Sequence, residues 1–449
     1  MRWFRRAEKD RSAAPDSTGG TLRRVLQNAG WLLAGKGVGA VLSLIYIALA
    51  TRMLGAQGFG QFALILGAAQ TLAAFVGFQT WQLVVRFGMQ KLHDAQTDEL
   101  GDLLAFALAL DVGAALLGCL VAAAGVGAFG SYFGWPPHLQ REALAFAIIL
   151  LLSVRSTPTG ILRLHDRFRT AAMADAVTPI VRMIGALVAV AAGASITGFL
   201  FAWAAAEIAT ASVYWFLASR VVGKAPWQLP FRGIGRAPAA NPGLIRFAIV
   251  TNGNYSLNSV AKQASTVAVG FFAGPVAAGH YRLAYQLGQA LAKFSDLFAR
   301  AVFAEMARVH VSQVGANLRA LFKNAVAFSA ASGVAIIIVL FAIGKPALEL
   351  IAGPEYLPAF PLLLLLGTAA ALDVAGVSFE PTLIATRNEW LALRLRIIST
   401  VALVIAMAVL LPLKAEIGAG IATLGASVLG LILFGLVSWN IVHREARSA

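Results

Sequence analysis

Apolar residues in this chain come in blocks of about 18 to 25, each closed by a short polar stretch, and no long segment alternates strictly between apolar and polar positions. A helix rising about 1.5 Å per residue needs ~20 such residues to cross ~30 Å of hydrocarbon. A membrane β-strand is about half that length and alternates, so the pattern is helical. Sliding windows predict twelve transmembrane helices near 28–51, 59–84, 103–129, 141–161, 170–193, 196–219, 244–272, 276–303, 320–343, 359–385, 391–411 and 417–441.

The polar stretches predict five parts. Residues 1–27 form a basic tail and 28–220 a six-helix lobe. A basic linker covers 221–243, where Pro226, Pro230, Pro238 and Pro242 stand among Lys224, Arg232 and Arg236. Proline at that density predicts extended chain. A second six-helix lobe covers 244–441 and a short tail 442–449.

The first 27 residues carry Arg2, Arg5, Arg6, Lys9, Arg11, Arg23 and Arg24 but no short apolar core ending in a small-residue cleavage site, so they read as a cytoplasmic tail before a signal anchor. Cytoplasmic loops of membrane proteins are enriched in Lys and Arg. With the N-terminus inside, 26 of the 36 Lys and Arg fall on the inner side and four (Arg52, Arg141, Lys345, Lys414) on the outer side. The expected place is therefore the inner (cytoplasmic) membrane, with both termini cytoplasmic.

Composition narrows the class further. The 449 residues are 59% hydrophobic and 13% charged, with mean hydropathy +0.76. A soluble domain carries about 25% charge, so lipid must solvate most of this surface. The net charge of +15 sits on the inner face, where anionic lipid head groups are its partners, and it does not indicate nucleic acid. A single cysteine, Cys119, excludes an internal disulfide and a cysteine metal cluster.

A short pattern recurs. Gly55-x4-Gly60-x-Phe62 follows the first predicted helix and Gly274-x4-Gly279-x-Tyr281 follows the seventh. With six helices between them the copies share an orientation, which implies parallel halves about an axis along the membrane normal and a site at their interface. Asn28-x6-Gly35-Lys36, the run Ala50-Thr51-Arg52-Met53-Leu54-Gly55 with Phe59-Gly60-x-Phe62-Ala63, and Gly279-x-Tyr281-x2-Ala284 resemble the Wzx-type polysaccharide flippases. Those belong to the multidrug/oligosaccharidyl-lipid/polysaccharide exporter superfamily. Two positions depart from that pattern: Ser265 and Thr266 stand where an Asp is common, and Ala304 precedes Glu305 where a Pro is common. The motif therefore assigns no coupling residue.

Charge inside the predicted spans supplies the candidate site. Lys36, Arg155, Arg182, Lys262, Arg282 and Lys293 are basic; Asp111, Asp175, Glu207, Asp296, Asp373 and Glu380 are acidic. Each costs roughly 2.5–3.5 kcal/mol at a helix centre on insertion scales, so they are expected to face one another or a hydrated cavity. Spacing agrees: Arg282, Gln286, Gln289, Lys293, Asp296 and Arg300 follow steps of three or four, Asp175 and Arg182 are seven apart, and so are Asp373 and Glu380. A cavity lined by Arg and Lys suits an anion, because guanidinium binds phosphate oxygens in a bidentate fork. The six bases are the candidate substrate-binding residues, and the resemblance supplies the anion, an undecaprenyl-pyrophosphate head group. Asp175, Glu207 and Asp373 are the candidate ion-coupling residues for a proton or sodium antiport cycle.

The resemblance thus implies a flippase for a lipid-linked oligosaccharide, in polysaccharide or lipopolysaccharide biosynthesis, working as a monomer by alternating access around a V-shaped central cavity. A multidrug or cation antiporter of the same fold is the alternative; it should prefer an acid-dominated cavity. A membrane glycosyltransferase or ligase would need a large outer loop with acid and base residues, and the longest predicted outer loop is about twelve residues. A peptidoglycan-precursor flippase resembles a fourteen-helix layout. Gly30-x4-Gly35-Lys36 approaches a phosphate-binding loop, but Gly37 replaces the required Ser or Thr and the segment lies in a span. No cofactor, catalytic residue or metal site is expected, and His165, His280, His310 and His443 are expected to be solvated near helix ends.

Overall fold

The computed structural model describes residues 18–223, 233–310, 318–385 and 388–448. Helices carry almost all of it, because only a helix satisfies every backbone polar group within its own segment in lipid. The first half holds α1 (Thr18–Val76), α2 (Thr80–His93), α3 (Thr97–Phe129), α4 (Pro137–Leu152), α5 (Ser156–Leu164), α6 (Phe168–Ala191) and α7 (Ile196–Val222). A short helix, α8 (Arg236–Ala240), follows. The second half holds α9 (Leu244–His310), α10 (Leu318–Ala352), a 3-10 turn (Pro354–Ala359), α11 (Phe360–Ala375), α12 (Phe379–Ala385) and α13 (Glu389–Ser448). Among the described residues, eight helical stretches are long and apolar enough to cross a membrane. This is a multi-pass, all-α membrane protein.

Among the described residues three helices are long enough for two crossings, and each is broken. Backbone at φ +64°, ψ 178° splits α1 at Gly55, and nearly the same conformation, φ +85°, ψ 177°, splits α9 at Gly274. Only glycine adopts that region without strain, which is why both copies of the repeat begin with it. Lys414 and Ala415 interrupt α13.

Contacts between the halves run mainly through α1 with α9 and α10. Gly60 and Gly279 meet directly: a Cβ built on Gly279 lies 3.1 Å from the Cα of Gly60. The same seam continues inward, with Leu64 over Gly270, Gly67 against Thr266 and Val267, and Ser256 donating to the Ala74 carbonyl at 2.9 Å. Counterpart touching counterpart is what a two-fold axis between copies requires. At the other end of the seam, Tyr356 donates to the Gly55 carbonyl at 3.1 Å and Arg52 reaches the Leu350 and Ile351 carbonyls at the end of α10.

Three expectations change. The second, fourth and tenth predicted spans are interrupted, at 77–79, 153–155 and 376–378. The linker 221–243, with 224–232 outside the described residues, is not wholly extended: α8 folds against α3, Asn241 closes it onto the Ala237 carbonyl at 2.7 Å, and Gly233 lies against the Asp102 carboxylate. Of the basic tail, residues 1–17 lie outside the description and 18–27 begin α1.

Candidate functional site

A polar ladder links α6 to α7. Asp175 accepts from the Tyr214 hydroxyl at 2.6 Å, Thr178 and Thr210 share a hydrogen bond at 2.7 Å, and Arg182 reaches Glu207 at 3.4 Å. The steps are three and four residues on both helices, so the polar positions share one face of each. Small residues permit the close approach, with Gly185 set against Ala202.

Glu207 is the centre of the cluster. Its second oxygen takes Arg155 at 3.0 Å, a residue that caps α5 at the break between α4 and α5. The Glu207 side chain is 6% exposed and that of Arg182 14%, whereas that of Arg155 is 45% exposed. The Arg182 guanidinium also lies 3.4 Å from the centre of the Trp203 ring, and that ring packs edge-on against Tyr46 of α1. A desolvated cation over indole gains about 2 kcal/mol. Two arginines therefore share one carboxylate. Asp175, exposed and held by tyrosine, balances the wider group.

Arg282 occupies the seam instead. It is 6% exposed, and it donates to Gln263 at 2.7 Å and to Gln70 of the first half at 3.0 Å. Both of these partners are neutral, so among the described residues the link between the halves runs from a guanidinium to two amide oxygens. Lys36, Lys262 and Lys293 stand on α1 and α9, and their side chains lie outside the described residues.

Asp373 is apart from this group. It lines a cavity of about 410 Å³ inside the second half, between α9, α11, α12 and α13. Where a V-shaped chamber between the halves is expected, the described part of the α1–α9 seam is closed, and this cavity lies to one side of it. Arg155, Arg182 and Glu207 thus meet, with Asp175 adjoining; Arg282 is at the seam and Asp373 in its own cavity.

Trp203, Gln70 and Gln263, which the charge pattern does not mark, stand beside the cluster and the seam, and Asp111 and His280 lie elsewhere. Trp203 stands one turn from Glu207 and its spacing was available; Gln70 and Gln263 are uncharged and carried no signal. Asp111 is 6% exposed. It accepts from the Thr80 hydroxyl at 2.9 Å, the Thr157 hydroxyl at 2.6 Å and the Thr157 amide at 3.0 Å. It thereby joins the starts of α2 and α5, where a carboxylate is favoured by the helix dipole. His280 is not solvated: it is 6% exposed and its Nδ1 lies 3.0 Å from Glu416, because the Gly274 break turns α9 back against α13.

Residues 25–310 match the family described as polysaccharide biosynthesis protein. The chain belongs to that family. The Escherichia coli (strain K12) inner membrane protein YghQ is 26% identical over 345 residues, 77% of this chain and 97% of that protein. Solved structures share the fold of this polysaccharide biosynthesis protein at low identity. An inward-facing multidrug resistance MATE transporter of the MOP superfamily superposes with a TM-score of 0.66 at 14% identity, covering 90% of this chain and 95% of that one. Lipid II flippase MurJ in an inward closed conformation gives 0.68 at 12% identity, covering 90% and 86%. A Pyrococcus furiosus MOP transporter whose binding pocket is described as of reverse polarity gives 0.56 at 15%, covering 91% and 94%.

Proposed function

We propose that this protein is a flippase that moves an undecaprenyl-pyrophosphate-linked oligosaccharide from the cytoplasmic to the outer leaflet, for assembly of a surface polysaccharide. The observation that carries this is the Arg155–Glu207–Arg182 cluster in the first half, with the buried Arg282 at the seam between the halves. An arginine pair sharing one carboxylate, with the outer member 45% exposed, can exchange that carboxylate for a pyrophosphate, whose oxygens accept the same forked hydrogen bonds. Membership of the polysaccharide biosynthesis family and the shared fold of MurJ support the same reading.

In this reading twelve spans form two lobes, 28–220 and 244–441, with both termini cytoplasmic, and the monomer rocks about the glycine seam. The head group enters between the halves while the lipid tail stays in the bilayer, and Lys36, Lys262 and Lys293 add to the basic lining. Asp175, Glu207 and Asp373 exchange protons or sodium ions to drive the cycle; flipping that persists unchanged after both gradients are collapsed removes that coupling. With two arginines to Glu207 and the adjoining Asp175 the group is not acid-dominated, which disfavours a cationic cargo.

The test is a deletion strain complemented with Arg182→Ala or Lys262→Ala. Both are expected to abolish surface polysaccharide at unchanged protein level, with lipid-linked repeat units retained on the cytoplasmic leaflet. Wild-type polysaccharide from both variants would remove these residues from the site.

A further inference from the structure

The cavity in the second half is large, lined by polar and apolar side chains in nearly equal number, and unused by the arginine cluster. Its floor is made of Ser265, Tyr281 and Thr423, with the Tyr281 and Thr423 hydroxyls 3.1 Å apart. Tyr285, Gln289 and Asp373 form its wall. The ion-paired Glu380 and Arg396, both more than a third exposed, stand at its mouth. Between Tyr281 and Gln289 lie two turns of α9, or about 12 Å of depth.

Chemistry selects among occupants. Hydroxyl, amide and charged groups make up about half of the lining, and in the hydrocarbon zone such groups are matched by one another or by a polar ligand, which disfavours a lipid tail. Formal charge along the lining is two acids to one base, which disfavours a second pyrophosphate. Among the described residues no cluster of three His, Cys, Asp or Glu could hold a metal ion, and about 410 Å³ falls in the ~300–1,000 Å³ range of small-molecule sites. A polyol fits. Each sugar hydroxyl both donates and accepts, as Ser, Thr, Tyr and Gln side chains do, and the apolar C–H face of a pyranose suits an aromatic wall. The Tyr281 and Tyr285 rings are parallel, 7° apart in plane with centroids at 6.4 Å.

α9 faces both ways. Tyr281, Tyr285 and Gln289, four residues apart, line the cavity, while Arg282 turns to Gln70 of the first half. We propose that this cavity is a carbohydrate subsite that takes a saccharide unit of the cargo, reached past the Glu380–Arg396 mouth while the anionic group stays with the arginines. The inference rests on the flippase reading and locates its sugar.

Single cysteines test it. In a Cys119→Ser background, Ser427→Cys (or Thr423→Cys where that variant does not support surface polysaccharide) reports on the cavity, and Ser153→Cys reports on the Arg155 side. Each purified protein is labelled with a small thiol reagent in the presence of polyprenyl-pyrophosphate saccharides extracted from the deletion strain, of sugar-free undecaprenyl pyrophosphate, or of sodium ion alone. The saccharide-bearing lipid is expected to slow labelling in the cavity several-fold and the sugar-free lipid to leave it unchanged, while both protect Ser153→Cys. Equal effects of both lipids in the cavity, protection by sodium alone, or protection confined to Ser153→Cys would overturn the subsite. Protection at neither position would count against the flippase reading itself.

Discussion

Arg182 and Arg282 are both buried arginines, and their neighbours solve the same problem differently. Arg182 has half of a shared carboxylate and the face of Trp203; among the described residues Arg282 has two amide oxygens. Replacing the first strands Glu207 with Arg155 alone, whereas replacing the second removes a bridge between halves. Asp111 is the opposite case, a buried acid with three donors and, among the described residues, no cation. Hydrogen bonds to a charged group are worth roughly 1.5–3 kcal/mol each. Asp111→Asn keeps the shape and one acceptor oxygen, so it is expected to lower the Tm of the purified protein by several degrees. An unchanged Tm would mean that the carboxylate does not hold the two helix starts. The charges themselves were legible from sequence, because ionisable residues in an apolar run stand out. Their partners were not: Thr80 and Thr157 are ordinary helix residues until the breaks bring their hydroxyls onto one carboxylate.

Helix type and approximate extent followed from hydropathy, and the Gly55 and Gly274 turns from their repeated pattern. The interruptions at 77–79, 153–155 and 376–378 did not, because a window of about 19 residues averages over three. Hydropathy continues through such a break while the hydrogen-bond ladder stops. Broken helices expose backbone at depth and are tolerated where something re-satisfies it; here the Trp81 amide donates to the Ser156 hydroxyl at 3.1 Å and the Thr157 amide to Asp111 at 3.0 Å. Position Gly60 belongs to this scale too. A Cβ there would collide with the Pro275 carbonyl, and overpacking costs about 1–3 kcal/mol. Gly60→Val is therefore expected to lower Tm and reduce surface polysaccharide, while Gly125→Ala, with nothing within 4 Å, leaves both unchanged. Equal tolerance at the two positions would contradict the tight seam.

For the whole molecule, the fold was legible and the position of the empty space was not. Counting spans and charges predicts two parallel halves; it does not say that α1 and α9 meet along a glycine seam, or that a cavity opens inside one half. That depends on side-chain packing between helices distant in sequence, such as the 219-residue offset between Gly60 and Gly279. If the halves rock about this seam, a bond across it stops transport. A Cβ on Gly67 would lie 3.6 Å from the Cβ of Thr266, within the ~3.5–4.5 Å of a disulfide, so the pair Gly67→Cys and Thr266→Cys can lock it. The most direct measurement uses proteoliposomes containing the lipid-linked saccharide, scored by oxidation of its sugar with a reagent that cannot cross the bilayer. The wild-type protein should bring the inner-leaflet pool out to the reagent, and the cross-linked pair should do so only after reduction. Protein-containing vesicles in which only the outer-leaflet pool is ever oxidised, as in protein-free vesicles, would contradict the flippase.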